Sequence, residues 1–314
     1  MITFLSGGTG TPKLVRGFRK LYNDSDISVV VNTAEDMWVS GNHLSPDIDT
    51  VMYLFAGILN TDTWWGIEDD TTITNDFLNK MGEDEFITVG DQDRAVHIAR
   101  AAMLKRGLSL TESTKLICRE LEVYANVLPM TDQEVTTFVT TPDTEMHFQE
   151  YWVKNKGRVE ITGVKRRCKG ESQNGGPCKD EPAATPEVID AIESADSVII
   201  GPSNPVTSIS PILECSGVRE ALKKQFVIVM SPFIGDTPIS GPAKALMEAW
   251  GLKPTSCGTY NLYKDFLDVF IQDTRDTDII PGAVVLDTLM LDEKISIELA
   301  KSVNALITVP NATF

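Results

Sequence analysis

No stretch of this 314-residue chain approaches the ~20 consecutive apolar residues that a membrane helix requires. Basic residues are scarce as well: 28 Lys and Arg stand against 45 Asp and Glu, a net charge of −17, so the basic surface of a nucleic-acid binder is missing. The one basic cluster, Lys165-Arg166-Arg167 with Lys169, reads as a solvated loop. Only three histidines are present, and the five cysteines (Cys118, Cys168, Cys178, Cys215, Cys257) are odd in number and scattered. No zinc spacing can be assembled from them, and reduced, mostly buried thiols are expected. Cys168 and Cys178, flanking Gly175-Gly176-Pro177, are a conceivable local staple without a zinc pattern. No Ser-His-Asp order or Cys–His pairing stands in a familiar context, which disfavours covalent catalysis. His97 lies inside a helical pattern and reads as packed or surface. Met1-Ile2-Thr3-Phe4-Leu5 runs into glycines without a basic start or an apolar segment of signal-peptide length, and a cytoplasmic protein is expected.

Apolar residues make up 42% of the chain, enough for a full core. Residues 2–5 form a short apolar run, followed by a glycine turn that can neither prolong a strand nor begin a helix early. Leu14, Phe18 and Leu21 then share one helix face over residues 13–21. Residues 27–31 are apolar and β-branched without alternation, as in a strand buried on both faces of a parallel sheet. Residues 33–50 read as loop, 51–59 as helix, and 91–106 as a helix capped by Asp91. Ser109 and Glu112 form a capping box for the helix that follows. Short strands are expected at 125–128, 136–140 and 146–148. A second α/β half has a helix around 188–192, buried strands at 197–200 and 226–230, and a C-terminal helix near 287–307. The expectation is one α/β domain over 1–314: a Rossmann-like, mostly parallel sheet with helices on both faces and a smaller appended region. Residues 165–185, rich in Gly, Lys, Pro and Ser, read as an exposed, mobile insert. Three strand ends, after residues 5, 200 and 230, run into small polar residues, and open α/β sheets bind ligands at such ends.

Gly7-Gly8-Thr9-Gly10-Thr11-Pro12-Lys13 offers backbone amides and a helix N-terminus to a phosphate, with Lys13 as an added point charge. Its spacing is neither the Walker nor the dinucleotide pattern, and a plain tight turn remains an alternative. Asn32-Thr33-Ala34-Glu35-Asp36 follows the second strand, where a polar or acidic residue meets a ribose in dinucleotide folds; helix capping is the competing reading. Asp47 and Asp49, in Ser45-Pro46-Asp47-Ile48-Asp49-Thr50, would converge on one Mg²⁺ if the segment is extended or turned. One Asp could instead orient an attacking hydroxyl, and Asp49 or Thr50 could simply cap a helix. Trp64-Trp65 places one ring for packing and one for stacking, and Gly90-Asp91-Gln92-Asp93-Arg94 is a polar turn suited to phosphate or hydroxyl contact.

These strings, with Gly201-Pro202-Ser203-Asn204-Pro205 and Ser231-Pro232 followed by Ser240-Gly241-Pro242-Ala243, resemble in order the 2-phospho-L-lactate transferase (CofD) family, from residue 2 to about residue 290. The resemblance implies a Rossmann-like core, a requirement for Mg²⁺ and a homodimer. It implies transfer of 2-phospho-L-lactate from lactyl-diphosphoguanosine to the ribitol hydroxyl of the deazaflavin Fo, releasing GMP and yielding F-420 without its glutamate tail. By the same resemblance, Gly7, Gly8, Thr9, Gly10, Lys13, Asn32, Ser203 and Asn204 would hold the guanosine diphosphate. Asp47 and Asp49 would serve the metal and the acceptor, with Thr88, Trp64 and Arg94 on the deazaflavin side. Other readings are a phosphoenolpyruvyl donor in the same reaction, a non-catalytic regulator that binds a nucleotide metabolite, and an NAD-type dehydrogenase. The glycine spacing disfavours the last of these.

Overall fold

A computed structural model describes residues 1–83, 85–169, 181–235, 237–238 and 241–308. Its centre is a sheet of seven strands: β1 (Ile2–Ser6), β2 (Ile27–Val31), β3 (Asn126–Pro129), β4 (Ser197–Ile200), β5 (Val227–Met230), β6 (Val269–Asp273) and β7 (Val284–Leu286). The spatial order is β7-β6-β5-β4-β1-β2-β3 and every pairing is parallel. Counted outward from β1, this is the 3-2-1-4-5-6 order of doubly wound folds with one strand added. β1, β2, β4 and β5 are buried along their whole length, which explains their continuous apolar sequences.

The pleat divides the core into two layers. Phe4, Val29 and Ile199 pair across the sheet and pack on one face with α1 (Gly10–Phe18), α2 (Pro46–Ala56) and the C-terminal helix Glu293–Thr308. Leu5, Val30 and Ile200 point the other way, against Val188 and Ile192 of a helix spanning Pro186–Glu193 and against Ile212, Val218 and Tyr263. On the first side α3 (Ile73–Lys80), α4 (Asp91–Lys105) and α5 (Leu110–Glu120) follow α2. The capping box at Ser109 and Glu112 is present, with both reciprocal bonds formed (3.1 and 2.8 Å).

The appended region is a three-stranded antiparallel sheet in which Glu134–Thr140 lies between Glu145–His147 and Gly163–Lys169. It packs with α6 (Phe148–Asn155) and the helix Ala243–Ala249 around Val139, Tyr151 and Leu246. Residues 165–169, expected in an exposed insert, thus complete a strand. Their basic side chains are matched across and beside the ladder, Arg167 and Lys165 with Glu145 and Lys169 with Glu134. Val164, Arg166 and Cys168 are half-buried and alternate with exposed Lys165, Arg167 and Lys169, a two-residue period that the charge of Arg166 conceals in the sequence. Cys178 and the rest of that insert from residue 170 through 180 lie outside the described residues, as does Ser240.

Two further boundaries differ from expectation. Residues 33–50 are not all loop: Met37–Val39 and Asn42–Leu44 form a hairpin, and α2 already begins at Pro46, a proline at the first helical position. Asp91 does not cap α4. The Asp70 carboxylate accepts from Gln92 and Asp93 N–H at 3.0 Å, while Asp91 accepts from Ile73 and Thr74 N–H and so caps α3. Among the described residues no helix is long and apolar enough to cross a membrane.

Candidate active site

A cleft of about 520 Å³ opens beyond the carboxyl ends of β1 and β4, where strand order reverses. Gly8, Thr9 and Gly10 line one wall, and Ser203, Asn204, Thr207 and Ser208 line the next. α1 starts at Gly10 with no side chain capping it at Thr9, so its positive end faces the cleft. The glycines also permit close approach within the protein. A Cβ on Gly8 would overlap an Asp47 carboxylate oxygen, and one on Gly10 would overlap the Pro202 carbonyl. Ser203 ties the two strand ends together: its hydroxyl accepts from Gly7 N–H (3.1 Å) and Thr11 N–H (3.3 Å) and bonds the Thr11 hydroxyl (2.7 Å). Asn204 uses its carbonyl oxygen to cap the next helical turn, from Val206 and Thr207 N–H.

Asp47 reaches the cleft from the first turn of α2. Burial pushes its carboxyl up to about 7, although Asn32 and the Gly8 N–H both favour the anion. Glu35 lines the same cleft and is held well above the usual carboxylate range by burial and by the charge of Asp47. Gln149 and Thr207 are its donors. Two buried carboxylates thus share a wall with amide nitrogens, hydroxyls and no ion-pair partner among the described residues. An all-oxygen donor set of this kind fits Mg²⁺, which is held by one or two carboxylates with phosphate oxygens and waters.

Aromatic and apolar side chains line the same cleft: Trp64 and Trp65 with Ile87 and Thr88, and Phe148, Trp152 and Val153 of α6. Trp64 has φ +56°, uncommon for so bulky a residue, and its ring lies 5.3 Å from Lys13 Nζ and 5.0 Å from the Arg16 guanidinium.

Of the residues named from sequence, Gly8, Thr9, Gly10, Asp47, Trp64, Thr88, Ser203 and Asn204 line this cleft. Gly7 lies just beneath it, packed on Ser208. Four others are placed differently. Asn32 is fully buried behind the wall, where its amide donates to Asp47 Oδ2 at 2.8 Å and its oxygen accepts from Ala34 N–H, and it does not line the cleft. Lys13 is turned onto the Trp64 face. Asp49 does not converge with Asp47, because positions i and i+2 of a helix point in divergent directions. Its carboxylate is instead bound by Arg100 and by His97 Nε2 (3.1 Å). Arg94 is withdrawn into a buried ion pair with Glu85. Gln149, Thr207, Phe148 and Trp152 escaped the sequence reading, and Glu35 entered it only within the polar segment after the second strand. The signal for Phe148 and Trp152 was their four-residue spacing, which marks a helix where a strand was expected.

A parallel sheet in this order, with a glycine-lined helix start and paired carboxylates at its switch point, defines a Rossmann-like α/β protein. The profile of the family described as "2-phospho-L-lactate transferase CofD" matches residues 2–300. The chain belongs to that family. It is 57% identical over 296 residues to the 2-phospho-L-lactate transferase of Methanocorpusculum labreanum, covering 94% of this chain and 95% of the relative. It is 53% identical to that of Methanospirillum hungatei, covering 96% and 99%, and 41% identical to that of Methanocaldococcus jannaschii, covering 96% and 97%. Among solved structures, a UPF0052 family member from Bacillus halodurans superposes with a TM-score of 0.63 at 16% identity, over 96% of this chain and 98% of that one, and shares the fold.

Proposed function

We propose that the protein transfers the 2-phospho-L-lactyl group from lactyl-diphosphoguanosine to the terminal ribitol hydroxyl of Fo, releasing GMP and forming F-420 without its glutamate tail. The observation that carries this reading is a single cleft lined by the Gly8–Gly10 segment, by the Asp47 and Glu35 carboxylates and by the rings of Trp64, Phe148 and Trp152. The diphosphate lies against the Gly8–Gly10 amides and the start of α1, and the planar deazaflavin lies between Trp64–Trp65 and the α6 side chains. Asp47 would hold Mg²⁺, which when bound supplies charge neutralisation for the transferring phosphoryl group.

The hydroxyl oxygen attacks the lactate-bearing phosphorus in line, and the bond from that phosphorus to the GMP oxygen breaks. Glu35 takes the hydroxyl proton, since burial leaves its carboxylate basic. Asn32 and the Gly8 N–H fix the direction of Asp47. Ser203 keeps the two strand ends at a constant separation. Most of the acceleration comes from holding two substrates in line within a preformed polar pocket.

The test is incubation of the purified protein with Mg²⁺, Fo and either the lactyl- or the phosphoenolpyruvyl-diphosphoguanosine donor, followed by mass spectrometry of the deazaflavin. A phospholactyl adduct with the first donor is expected. A product only with the second replaces the donor, and no adduct with either removes the proposal.

A further inference from the structure

The face that α4 turns toward α2 is polar where contacts between buried helices are ordinarily apolar. Asp93, His97 and Arg100 recur at spacings of four and three, and Asp49 and Tyr53, four apart on α2, oppose them. Arg100 is 0% exposed. Its Nη1 donates to Asp49 Oδ2 and to the His43 carbonyl, each at 3.1 Å, and its Nη2 pairs with Asp49 Oδ1. His97 Nε2 sits 3.1 Å from Asp49 and 3.0 Å from Asp93, and the Tyr53 hydroxyl donates to Asp93 at 2.6 Å. Asp49 Oδ2 also accepts from Ser45 N–H at 3.4 Å. The Asp49, Asp93 and His97 ligand atoms lie within 4.8 Å of one another, but Arg100 already neutralises Asp49, so this group calls for no cation.

None of these five side chains lines the cleft. A buried ion pair is a weak source of stability, and well-packed apolar residues often do as well or better. What the pair does supply is direction. Arg100 grips the start of α2 at the Asp49 carboxylate and, through Asp49, at Ser45 N–H, and it ties both to the His43 carbonyl of the preceding hairpin strand. Asp47 belongs to that same helical turn and leaves it on the cleft side, against Gly8.

We propose that Arg100 and Asp49 are a positioning pair for Asp47, setting the angle at which the first turn of α2 presents that carboxylate to the cleft. The inference rests on the reading of Asp47 as a group the transfer uses. The test is the double variant Asp49→Leu/Arg100→Met, which removes both charges and leaves His97 its Asp93 partner. It is expected to melt cooperatively, to keep its KM for the guanosine donor within about twofold and to lose kcat by about tenfold or more, as small misplacements near a reacting centre do. A pair that served only the fold would change the melt and leave kcat per folded molecule intact, and that result overturns the proposal.

Should the double variant not fold, Arg100→Lys keeps the charge and removes the two-pronged grip. It is expected to show the same loss of kcat at unchanged KM, and full kcat in that variant overturns the proposal equally. Asp47→Asn is measured alongside. Full turnover there refutes the role of Asp47 and this inference with it. Loss of turnover there, with normal kcat in the double variant, refutes the positioning pair alone.

Discussion

Asn32 donates its side-chain amide to Asp47 Oδ2 across 2.8 Å, so the end of β2 fixes the carboxylate that the first turn of α2 sends into the cleft. Asn32→Ala leaves Asp47 one donor short in a buried site. A hydrogen bond to a charged group contributes about 1.5–3 kcal/mol, so turnover should fall about 10- to 100-fold while the protein stays folded. Steady-state rates with the guanosine donor and Fo, beside a thermal melt, check this. Unchanged rates would make Asn32 a packing residue only.

Gly8 and Gly10 separate on what lies behind them. The Asp47 side chain behind Gly8 can swing aside, whereas the Pro202 backbone behind Gly10 cannot. Gly8→Ala should therefore fold and lose activity, because Asp47 is displaced. Gly10→Ala should lose about 1–3 kcal/mol or more of stability through overpacking. Urea titration of both variants, with turnover of the folded fraction, distinguishes them. Equal stability of the two would contradict this packing.

Burial alone would lower the pKa of His97, but its contacts with Asp49 and Asp93 outweigh burial and raise it to about 9. A folded-state pKa above the unfolded value of ~6.5 stabilises the protein fully below that pH. The contribution, up to about 3 kcal/mol, is lost as pH rises from about 6.5 through 9. Denaturant melts across pH 6 to 10 should show this decline, and His97→Gln should flatten it. An identical slope in the variant would assign the effect to another group.

Strands β1 to β5, the glycine turn and the capping box could be read from the sequence because their causes are local: short apolar runs, missing Cβ atoms, Ser and Glu three residues apart. Asp49 could not be. Its fate depends on Arg100, 51 residues further along, and nothing within the Asp-x-Asp string reveals that partner. Glu35 was read only as part of a polar segment, because its value comes from Gln149 on a helix of the appended region. Arg94 looked available in a polar turn until folding brought it Glu85.

That last pairing has a direct consequence. Arg94 and Glu85 are both nearly inaccessible, 5% and 2% exposed at their side chains. Arg94→Ala leaves a buried carboxylate without its cation, which costs about 3–5 kcal/mol. Stability should fall, and the KM for Fo in the remaining folded enzyme should stay near its parent value.

Trp64→Ala should behave in the opposite way. Its ring faces the cleft on one side and lies near Lys13 and Arg16 on the other, so truncation removes both a stacking surface and a contact worth about 0.5–2 kcal/mol per cation. The substitution also deletes a bulky side chain at φ +56°, which offsets part of the lost packing, so the melt should shift little. Fo affinity, followed by deazaflavin fluorescence, should weaken about tenfold, as loss of an aromatic face in a binding pocket commonly does. GDP affinity should hardly change, because the Gly8–Gly10 amides are left in place. Weaker GDP binding with unaltered Fo binding would place the Trp64 ring against the nucleotide instead.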